Sequence, residues 1–154
     1  MELKRVVVTG LGAVTPVGNT PEETWKNLLE GKSGAAPITH FDTTLFKTKF
    51  ACEVKDLNLN DYIDRKEARK MDRYCQLAMV SAAQGIKDAG LDLEKEDLNR
   101  IGVVYGVGIG GIKTFQDEVV YYGQHEDQGP KFNPFFIPKM IADIASGQIS
   151  IQYG

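Results

Sequence analysis

The chain has 154 residues, the length of one ordinary domain, and its 42% hydrophobic and 25% charged residues are typical of a soluble globular protein. A net charge of -3 argues against a nucleic-acid-binding surface, and no apolar run is long enough to span a bilayer. No signal peptide is visible, and the two cysteines form neither a disulfide framework nor a Cys-x-x-Cys pair. We therefore expect a cytoplasmic protein that binds neither nucleic acid nor membrane.

The first predicted element is a buried strand over residues 5–10, a β-branched run bounded by glycine. A helix with clear terminal signals follows. Thr20 and Glu23 match a capping box around Pro21, and Gly31 is placed to end the helix in a left-handed conformation. The apolar face of this helix has three members: Trp25, Leu28 and Leu29.

The longest predicted helix comes after residues 31–63, whose weak periodicity indicates irregular structure with short elements. Asp64 and Glu67 are placed to cap the helix, and Gly90 to end it. Its apolar face consists mostly of small residues, which predicts close and buried packing. The members are Ala68, Met71, Tyr74, Cys75, Ala78, Met79, Ala82 and Ile86.

The remaining elements again alternate. A buried strand is predicted over residues 101–105, and a glycine-rich loop over 106–111 leads to a helix through Tyr121. The chain then shows a proline-bracketed aromatic loop, a short helix of small residues that ends at Gly147, and an alternating strand over 148–154. Strands that alternate with helices indicate an α/β fold with crossover connections.

Two glycine-rich stretches suggest nucleotide binding, but neither fits a known fingerprint. The stretch that begins at Gly10 lacks the third glycine of the dinucleotide motif, and Pro16 interrupts it. Residues 106–111 lack the Gly-Lys-Ser/Thr ending of a P-loop. Glycines also let a backbone pass close to another chain or a ligand, and Ile109 would then project from the second stretch. A nucleotide-binding domain is therefore a disfavoured alternative.

No residue of the chain has the context of a catalytic nucleophile or a metal ligand. Cys75 lies on the apolar helix face, which predicts a core residue, and Cys52 has no neighbouring pattern that would activate its thiol. His40 and His125 occupy polar loops without metal-ligand spacing. We expect no catalytic residue, no metal and no cofactor in this chain.

A basic cluster occupies the first two turns of the long predicted helix. The helix dipole disfavours each cation there by a few tenths of a kcal/mol or more. Docking of an acidic partner would explain the cluster, and a solvated face offset by Glu67 and Asp72 is the other interpretation. Charge alone leaves both open. The cations are Arg65, Lys66, Arg69 and Lys70.

Several motifs follow one another along the chain in an order and spacing that are specific together. They occupy residues 5–12, 15–18, 25–34, 41–42, 66–72, 108–111 and 133–138. Together they resemble the β-ketoacyl-acyl-carrier-protein synthases, in particular the type II condensing enzymes of fatty-acid synthesis. The resemblance implies the thiolase-like αβαβα sandwich, an α/β fold of two similar halves. Residues 1–154 would be the larger part of the first half, ending before the nucleophilic cysteine.

The resemblance also implies a reaction. In this family a cysteine takes an acyl group from acyl carrier protein, and two histidines promote loss of carbon dioxide from a malonyl-carrier thioester. All three residues are expected beyond Gly154, so the chain alone should be inactive. The implied partners are acyl carrier protein, with phosphopantetheine-linked acyl and malonyl groups, and a second copy of the complete enzyme in a homodimer. A non-catalytic carrier-binding or dimerisation module is the alternative.

Site residues can be carried over only where the motifs match. Ile109 and Phe136 match side chains that line the acyl pocket close to the dimer interface in this family. Lys66, Arg69 and Lys70 match the basic patch that docks the acidic carrier, and Lys131 is a weaker candidate. The resemblance therefore favours docking over a solvated face, since charged patches are effective in steering an acidic partner.

Overall fold

A computed structural model describes residues 3–154 as two compact units. The first unit contains residues 3–58 and Ala83–Gly90, and the second contains Leu59–Ala82 and Leu91–Gly154. Within the described part of the chain, no helix combines the length and the apolar character that crossing a bilayer requires.

The first unit contains the helix that the capping signals predicted. Helix α1 spans Pro21–Leu29, and the hydroxyl of its N-cap residue Thr20 accepts a hydrogen bond from the backbone N–H of Glu23 at 3.2 Å. The Glu23 carboxylate accepts from the N–H of Asn19 at 2.8 Å, one residue further back than in the standard capping box. The helix is confirmed, but its apolar face is exposed to solvent, with Trp25 at 64%.

The irregular region after α1 contains the expected short elements. Strands β1, Ala35–Pro37, and β2, Phe50–Cys52, pair antiparallel with Ala36 opposite Ala51. Each strand has three residues, so this two-stranded sheet is small.

The predictions of two buried strands, over residues 5–10 and 101–105, are wrong. Residues 5–10 and 101–105 form no strand, and Val6, Val8 and Val104 are 89%, 80% and 99% exposed. A β-branched composition favours extended backbone, but a strand also needs a neighbour that pairs with its N–H and C=O groups. Neither segment has such a neighbour among residues 3–154.

The structure shows two helices where one long helix from Asp64 to Gly90 was predicted. Helix α2 spans Arg65–Ala68 and helix α3 spans Arg73–Asp88. Each helix has its own aspartate cap: Asp64 accepts from Lys66 N at 2.7 Å, and Asp72 accepts from Tyr74 N at 3.3 Å. Glu67 caps neither helix, because its carboxylate pairs with Lys70 at 2.7 Å.

The predicted ends of the helices are confirmed at two glycines. Gly31 and Gly90 follow α1 and α3 with φ of 67° and 62°, a region that favours glycine. The small-residue face of α3 is confirmed as buried around Cys75. The buried hydrophobic residues of the described chain all belong to the second unit, and they are Ile63, Met71, Cys75, Ala78, Met79, Val80, Ala145 and Ile149.

The second unit contains three further α-helices. Helix α4, Ile112–Gln124, is the helix predicted through Tyr121, and α5, Phe136–Met140, lies within the aromatic loop. Helix α6, Ile144–Tyr153, replaces the strand predicted over residues 148–154, so that prediction is wrong. Ile149 is 4% exposed whereas Ile151 is 77% exposed, although an alternating strand would place both side chains on one face.

Candidate functional site

The basic cluster lies at a helix end in the second unit. Lys66 is in α2, Arg69 is the residue that caps its C-terminus, and Lys70 follows in the turn. The three therefore do not lie within the first two turns of one long helix, contrary to the sequence prediction. Lys66 and Arg69 are exposed and have no ion-pair partner within residues 3–154. We call Arg65, Lys66, Arg69 and Lys70 the basic segment.

Lys70 differs from the other cations of the basic segment. Its ammonium group is 2.7 Å from a Glu67 oxygen and lies 6.0 Å from the ring centroid of Phe135. A cation at this distance from an aromatic face is attracted to the ring. Lys70 thus ties the basic segment to the aromatic loop, whereas Lys66 and Arg69 face solvent.

The glycine-rich stretch at residues 106–111 brings two backbones together. The N–H of Gly111 donates to the carbonyl of Met140 at 3.0 Å, and a Cβ on Gly111 would lie 2.2 Å from the Lys139 carbonyl oxygen. Gly110 adopts a φ of 95°, which suits glycine. Gly110 and Gly111 therefore allow close packing of two backbones, and the Gly111 N–H is bonded to a carbonyl and not open to a phosphate. Ile109 projects from it with 73% of its surface exposed.

The aromatic loop forms a small stack on α4. The half-buried ring of Phe136 lies between Phe115 and Phe132, with centroid distances of 6.3 and 5.6 Å. The Gly111–Met140 hydrogen bond connects the Ile109 loop to the helix that carries Phe136. The structure therefore places the two predicted pocket residues on segments that are bonded to each other.

An open cavity of about 450 Å³ adjoins this stack. Lys131 lines it together with Asp117 and Glu118, and none of the basic segment does. Lys131 therefore lines a cavity that the other predicted docking residues, Lys66, Arg69 and Lys70, do not line. The other lining residues are Tyr121, Phe132, Asn133 and Pro134.

The glycine motif at the start of the chain is likewise occupied by internal contacts. The N–H of Leu11 donates to a carboxylate oxygen of Asp88 at 2.8 Å, and the N–H of Ala13 donates to the Gln84 side chain at 3.0 Å. A Cβ on Gly10 would lie 2.3 Å from the Gly85 carbonyl oxygen. Two N–H groups of the loop that could otherwise face a dinucleotide phosphate are therefore bonded within the protein.

The cysteines and histidines have structural surroundings. Cys75 is 1% exposed, and burial raises the pKa of its thiol to about 11, so the prediction of a core residue is confirmed. Cys52 is exposed on β2. His40 lies 3.8 Å from Glu53, and His125 contacts the Tyr121 carbonyl at 2.8 Å. Residues 3–154 contain no cluster of His, Cys, Asp or Glu side chains that could hold a metal ion.

Sequence reasoning missed the polar side chains at the start of α3. The Thr114 hydroxyl donates to Asp72 Oδ2 at 2.5 Å, and Gln76 Nε2 donates to the Ala68 carbonyl at 2.9 Å. The Tyr74 hydroxyl donates to the Ile141 carbonyl. The Asp72–Thr114 pair is separated by 42 residues, so no local motif could have revealed it.

Comparisons with known proteins cover nearly all of the chain. The family model described as "Beta-ketoacyl synthase, N-terminal domain" matches residues 3–154. A curated 3-oxoacyl-[acyl-carrier-protein] synthase 2 of Staphylococcus aureus (strain COL) is 47% identical over 152 residues, which are 98% of this chain and 36% of that protein. A protein of the same name from Synechocystis sp. is 46% identical over 155 residues, 100% of this chain and 36% of its own length. The chain thus spans about a third of these relatives.

Solved structures are similar over the same extent. The ishigamide ketosynthase/chain length factor has a TM-score of 0.81 at 28% identity, over 96% of this chain and 36% of that chain. A ketosynthase in complex with its type II PKS acyl-carrier protein has a TM-score of 0.76 at 25% identity, over 96% and 39%. A β-ketoacyl synthase from Burkholderia phymatum has a TM-score of 0.77 at 22% identity, over 98% and 37%, which concerns the fold alone.

Proposed function

The chain belongs to the β-ketoacyl synthase family, and from that membership we propose that it is the N-terminal part of a 3-oxoacyl-[acyl-carrier-protein] synthase of fatty-acid elongation. The family and the thiolase-like α/β fold expected from the sequence are confirmed. The observation that carries the proposal is the uninterrupted match of residues 3–154 to the N-terminal domain, together with relatives of one name at 46–47% identity.

The proposed reaction is a decarboxylative Claisen condensation. A cysteine thiol first accepts the acyl group and releases the carrier thiol. Loss of carbon dioxide from the malonyl-carrier thioester leaves a carbanion that attacks the acyl-enzyme thioester. The new carbon–carbon bond gives a 3-oxoacyl carrier longer by two carbons and frees the cysteine.

The buried thiol of Cys75 is not suited to that role. Cys75 is buried with a raised pKa, and a nucleophilic cysteine needs access and a lowered one. We infer that the reactive cysteine and two histidines lie in the remaining length of the complete protein. A polypeptide of these 154 residues should therefore take no acyl group from an acyl carrier onto Cys52 or Cys75.

The activity is tested on the complete protein, with acyl-carrier and malonyl-carrier thioesters as substrates and the 3-oxoacyl carrier product measured by mass. Formation of that product is the expected result. A protein that binds the carrier without forming product would instead be the non-catalytic module, and a protein that does neither would overturn the proposal.

We propose that Lys66 and Arg69 are the principal carrier-docking residues. Both are exposed and lack an ion-pair partner within residues 3–154, so their charges are available to an acidic partner. Lys70 also belongs to the dock, but its bonds to Glu67 and Phe135 suit it to holding the surface in shape. Lys131 is a secondary docking residue, since it lines a cavity that no residue of the basic segment lines.

Charge reversal tests the dock. Lys66→Glu with Arg69→Glu should weaken carrier binding about tenfold or more by slowing association, and the loss should shrink as salt rises. The matched control is Lys47→Glu with Lys49→Glu, two exposed lysines of the first unit. Binding by the Lys66/Arg69 variant as tight and as fast as the parent at low salt would leave the basic segment a solvated face.

We propose that Ile109 and Phe136 line the acyl pocket. Ile109 is a large exposed side chain on a glycine loop bonded to the α5 segment, so added volume at this position would project into the pocket. Ile109→Phe should block tetradecanoyl transfer and spare hexanoyl transfer, whereas Leu45→Phe, at a 96% exposed position of the first unit, should spare both. Equal loss for both chain lengths would indicate a packing defect.

A homodimer and a cytoplasmic location complete the proposal. Helix α4 exposes several apolar side chains that a second copy of the complete enzyme would cover: Ile112, Phe115, Val119 and Val120. Both cysteines are free thiols, which suits a reducing compartment. Sedimentation of the complete protein should give a dimer, and Val119→Lys should convert it to a monomer.

A further inference from the structure

The first turn of α3 is bonded to three other segments of the second unit. Asp72 accepts from Thr114 of α4 at 2.5 Å, and the Tyr74 hydroxyl donates to the carbonyl of Ile141. Gln76 donates to the carbonyl of Ala68 in α2 at 2.9 Å. We call Asp72, Tyr74 and Gln76 the α3 junction.

Each partner of the α3 junction lies beside a proposed functional residue. Ala68 precedes Arg69 of the basic segment, and Thr114 lies in the first turn of α4, directly after the loop of Ile109. Ile141 directly follows α5, which begins at Phe136. The junction therefore stands between the proposed carrier dock and both sides of the proposed acyl pocket.

The hydrogen bonds of the α3 junction fix the relative positions of the helices, which apolar packing alone does not do. The nearby core of Met71, Cys75 and Met79 buries apolar surface, but the hydrophobic effect has no direction. The half-buried Asp72 carboxylate accepts from both Tyr74 N and the Thr114 hydroxyl, so it fixes α4 relative to the start of α3. Hydrogen bonds to a charged group are short and directional, and they specify one arrangement.

We propose that Asp72, acting through Thr114, is a positioning residue that holds the carrier dock in register with the acyl pocket. A carrier on the basic segment delivers its acyl chain on a tether of fixed length, so the distance from dock to pocket decides whether the chain enters. An acyl thioester without a carrier has no such constraint. The inference rests on the proposed function.

Thr114→Val tests the bond, because valine keeps the shape and removes the hydroxyl, and Thr114→Ser is the matched control that keeps it. In the complete synthase, Thr114→Val should lower kcat with an acyl-carrier substrate about tenfold, the size of one lost hydrogen bond to a charged group. The Kd for the carrier should stay unchanged. The rate with an acyl-N-acetylcysteamine thioester should stay within about twofold of the parent, and Thr114→Ser should restore the carrier rate.

Two results would overturn the inference. Equal loss with both substrates would mean that Thr114 merely supports the pocket, and no loss with either would mean that the bond has no role. Tyr74→Phe is the second variant, because it removes one hydroxyl of the junction without changing α4. It should give the same substrate-dependent pattern.

Amide hydrogen exchange separates this inference from the proposed function. Thr114→Val should speed exchange at residues 66–70 as well as at 109–114, and Thr114→Ser should change neither. Unchanged exchange at residues 66–70 would overturn the coupling even in an active enzyme. A parent protein that forms no product would overturn the proposed function, while the exchange data would still decide whether the junction joins the two segments.

Discussion

Helix α3 and the segment at residues 101–105 are both apolar, but they end in opposite environments. Cys75, Met79 and Val80 of α3 are at most 1% exposed, whereas Val104 is 99% exposed. A helix bonds its own backbone and needs only an apolar surface to pack on. An extended segment leaves its N–H and C=O groups open until another strand pairs with them.

The first unit contains a second exposed valine segment, residues 5–10. The buried hydrophobic residues of the described chain belong to the helix-rich second unit, and the first unit leaves Val6 and Val8 in solvent. Since the chain spans about a third of its curated relatives, we propose that strand partners for residues 5–10 and 101–105 lie in the remaining length of the complete protein. The difference shows that α3 satisfies its backbone hydrogen bonds within itself. The two valine segments need strand partners that are distant in sequence.

The largest expected effect on stability comes from truncating a buried side chain of α3. Met79→Ala should lower the free energy of unfolding by about 2–5 kcal/mol, because it deletes a large side chain that is 1% exposed and leaves a cavity. Urea denaturation of the 154-residue chain measures it. The control is Leu45→Ala, which is 96% exposed and should cost less than about 0.5 kcal/mol. Similar losses at both positions would mean that α3 does not form the core.

A smaller effect is expected where the first valine segment meets the end of α3. Gly10→Ala should cost about 1–3 kcal/mol, because its Cβ would lie 2.3 Å from the Gly85 carbonyl oxygen and 2.5 Å from Ala89 N, both of which are backbone atoms. Gly102→Ala is the matched change in the second valine segment, where no heavy atom of the described chain lies within 4 Å of the added Cβ. It should be neutral within about 0.5 kcal/mol. Thermal melts of both variants decide whether the close approach at Gly10 is real.

These contrasts explain which elements the sequence could predict. Helix α1 was predictable because Thr20, Pro21 and Glu23 act within one turn of each other. The break before α3 was missed because Asp72 was interpreted as offsetting the charge cluster, and only the fold shows it as a second cap. The helix at residues 148–153 was missed because an alternating pattern fits a strand, and only the structure shows Ile149 buried while Ile151 is exposed, as a helix requires.

The site was predictable to a similar degree. Exposure of Lys66 and Arg69 follows from their charge, so a docking surface could be proposed from the sequence. The contact of Lys70 with Phe135 and the bond from Thr114 to Asp72 join distant parts of the chain. Such pairs depend on how α3, α4 and the aromatic loop pack, and no local pattern encodes that.

A weaker effect should appear at alkaline pH. Burial, with a smaller contribution from the Asp72 carboxylate, raises the pKa of the Cys75 thiol from 9.0 to about 11. The unfolded thiol ionises first, so the stability contributed by the neutral buried thiol is complete below pH 9 and is lost as the pH rises to about 11. The parent should therefore lose stability relative to Cys75→Ala across this window. A constant difference between the two proteins would contradict the buried thiol.

Alkylation of the two cysteines is a second test of the burial of Cys75. Iodoacetamide at neutral pH should modify the exposed Cys52 of the native chain and reach Cys75 only after unfolding. Mass spectrometry of peptides from native and urea-treated protein measures both sites.

The smallest expected effect on stability comes from truncating an exposed side chain in residues 101–105. Val104→Ala should change the stability of the 154-residue chain by less than about 0.5 kcal/mol, because the side chain is 99% exposed and loses no contact. In the complete protein the same substitution should cost about 1–3 kcal/mol, since a strand partner and covering helices would bury the two methyl groups. Val80→Ala, on α3, is the control, because its side chain is fully buried already and should cost a similar amount in both proteins. A Val104→Ala change that is neutral in both proteins would show that residues 101–105 remain exposed. The proposed pairing of residues 101–105 with a distant strand would then be wrong, and their apolar side chains would require another explanation.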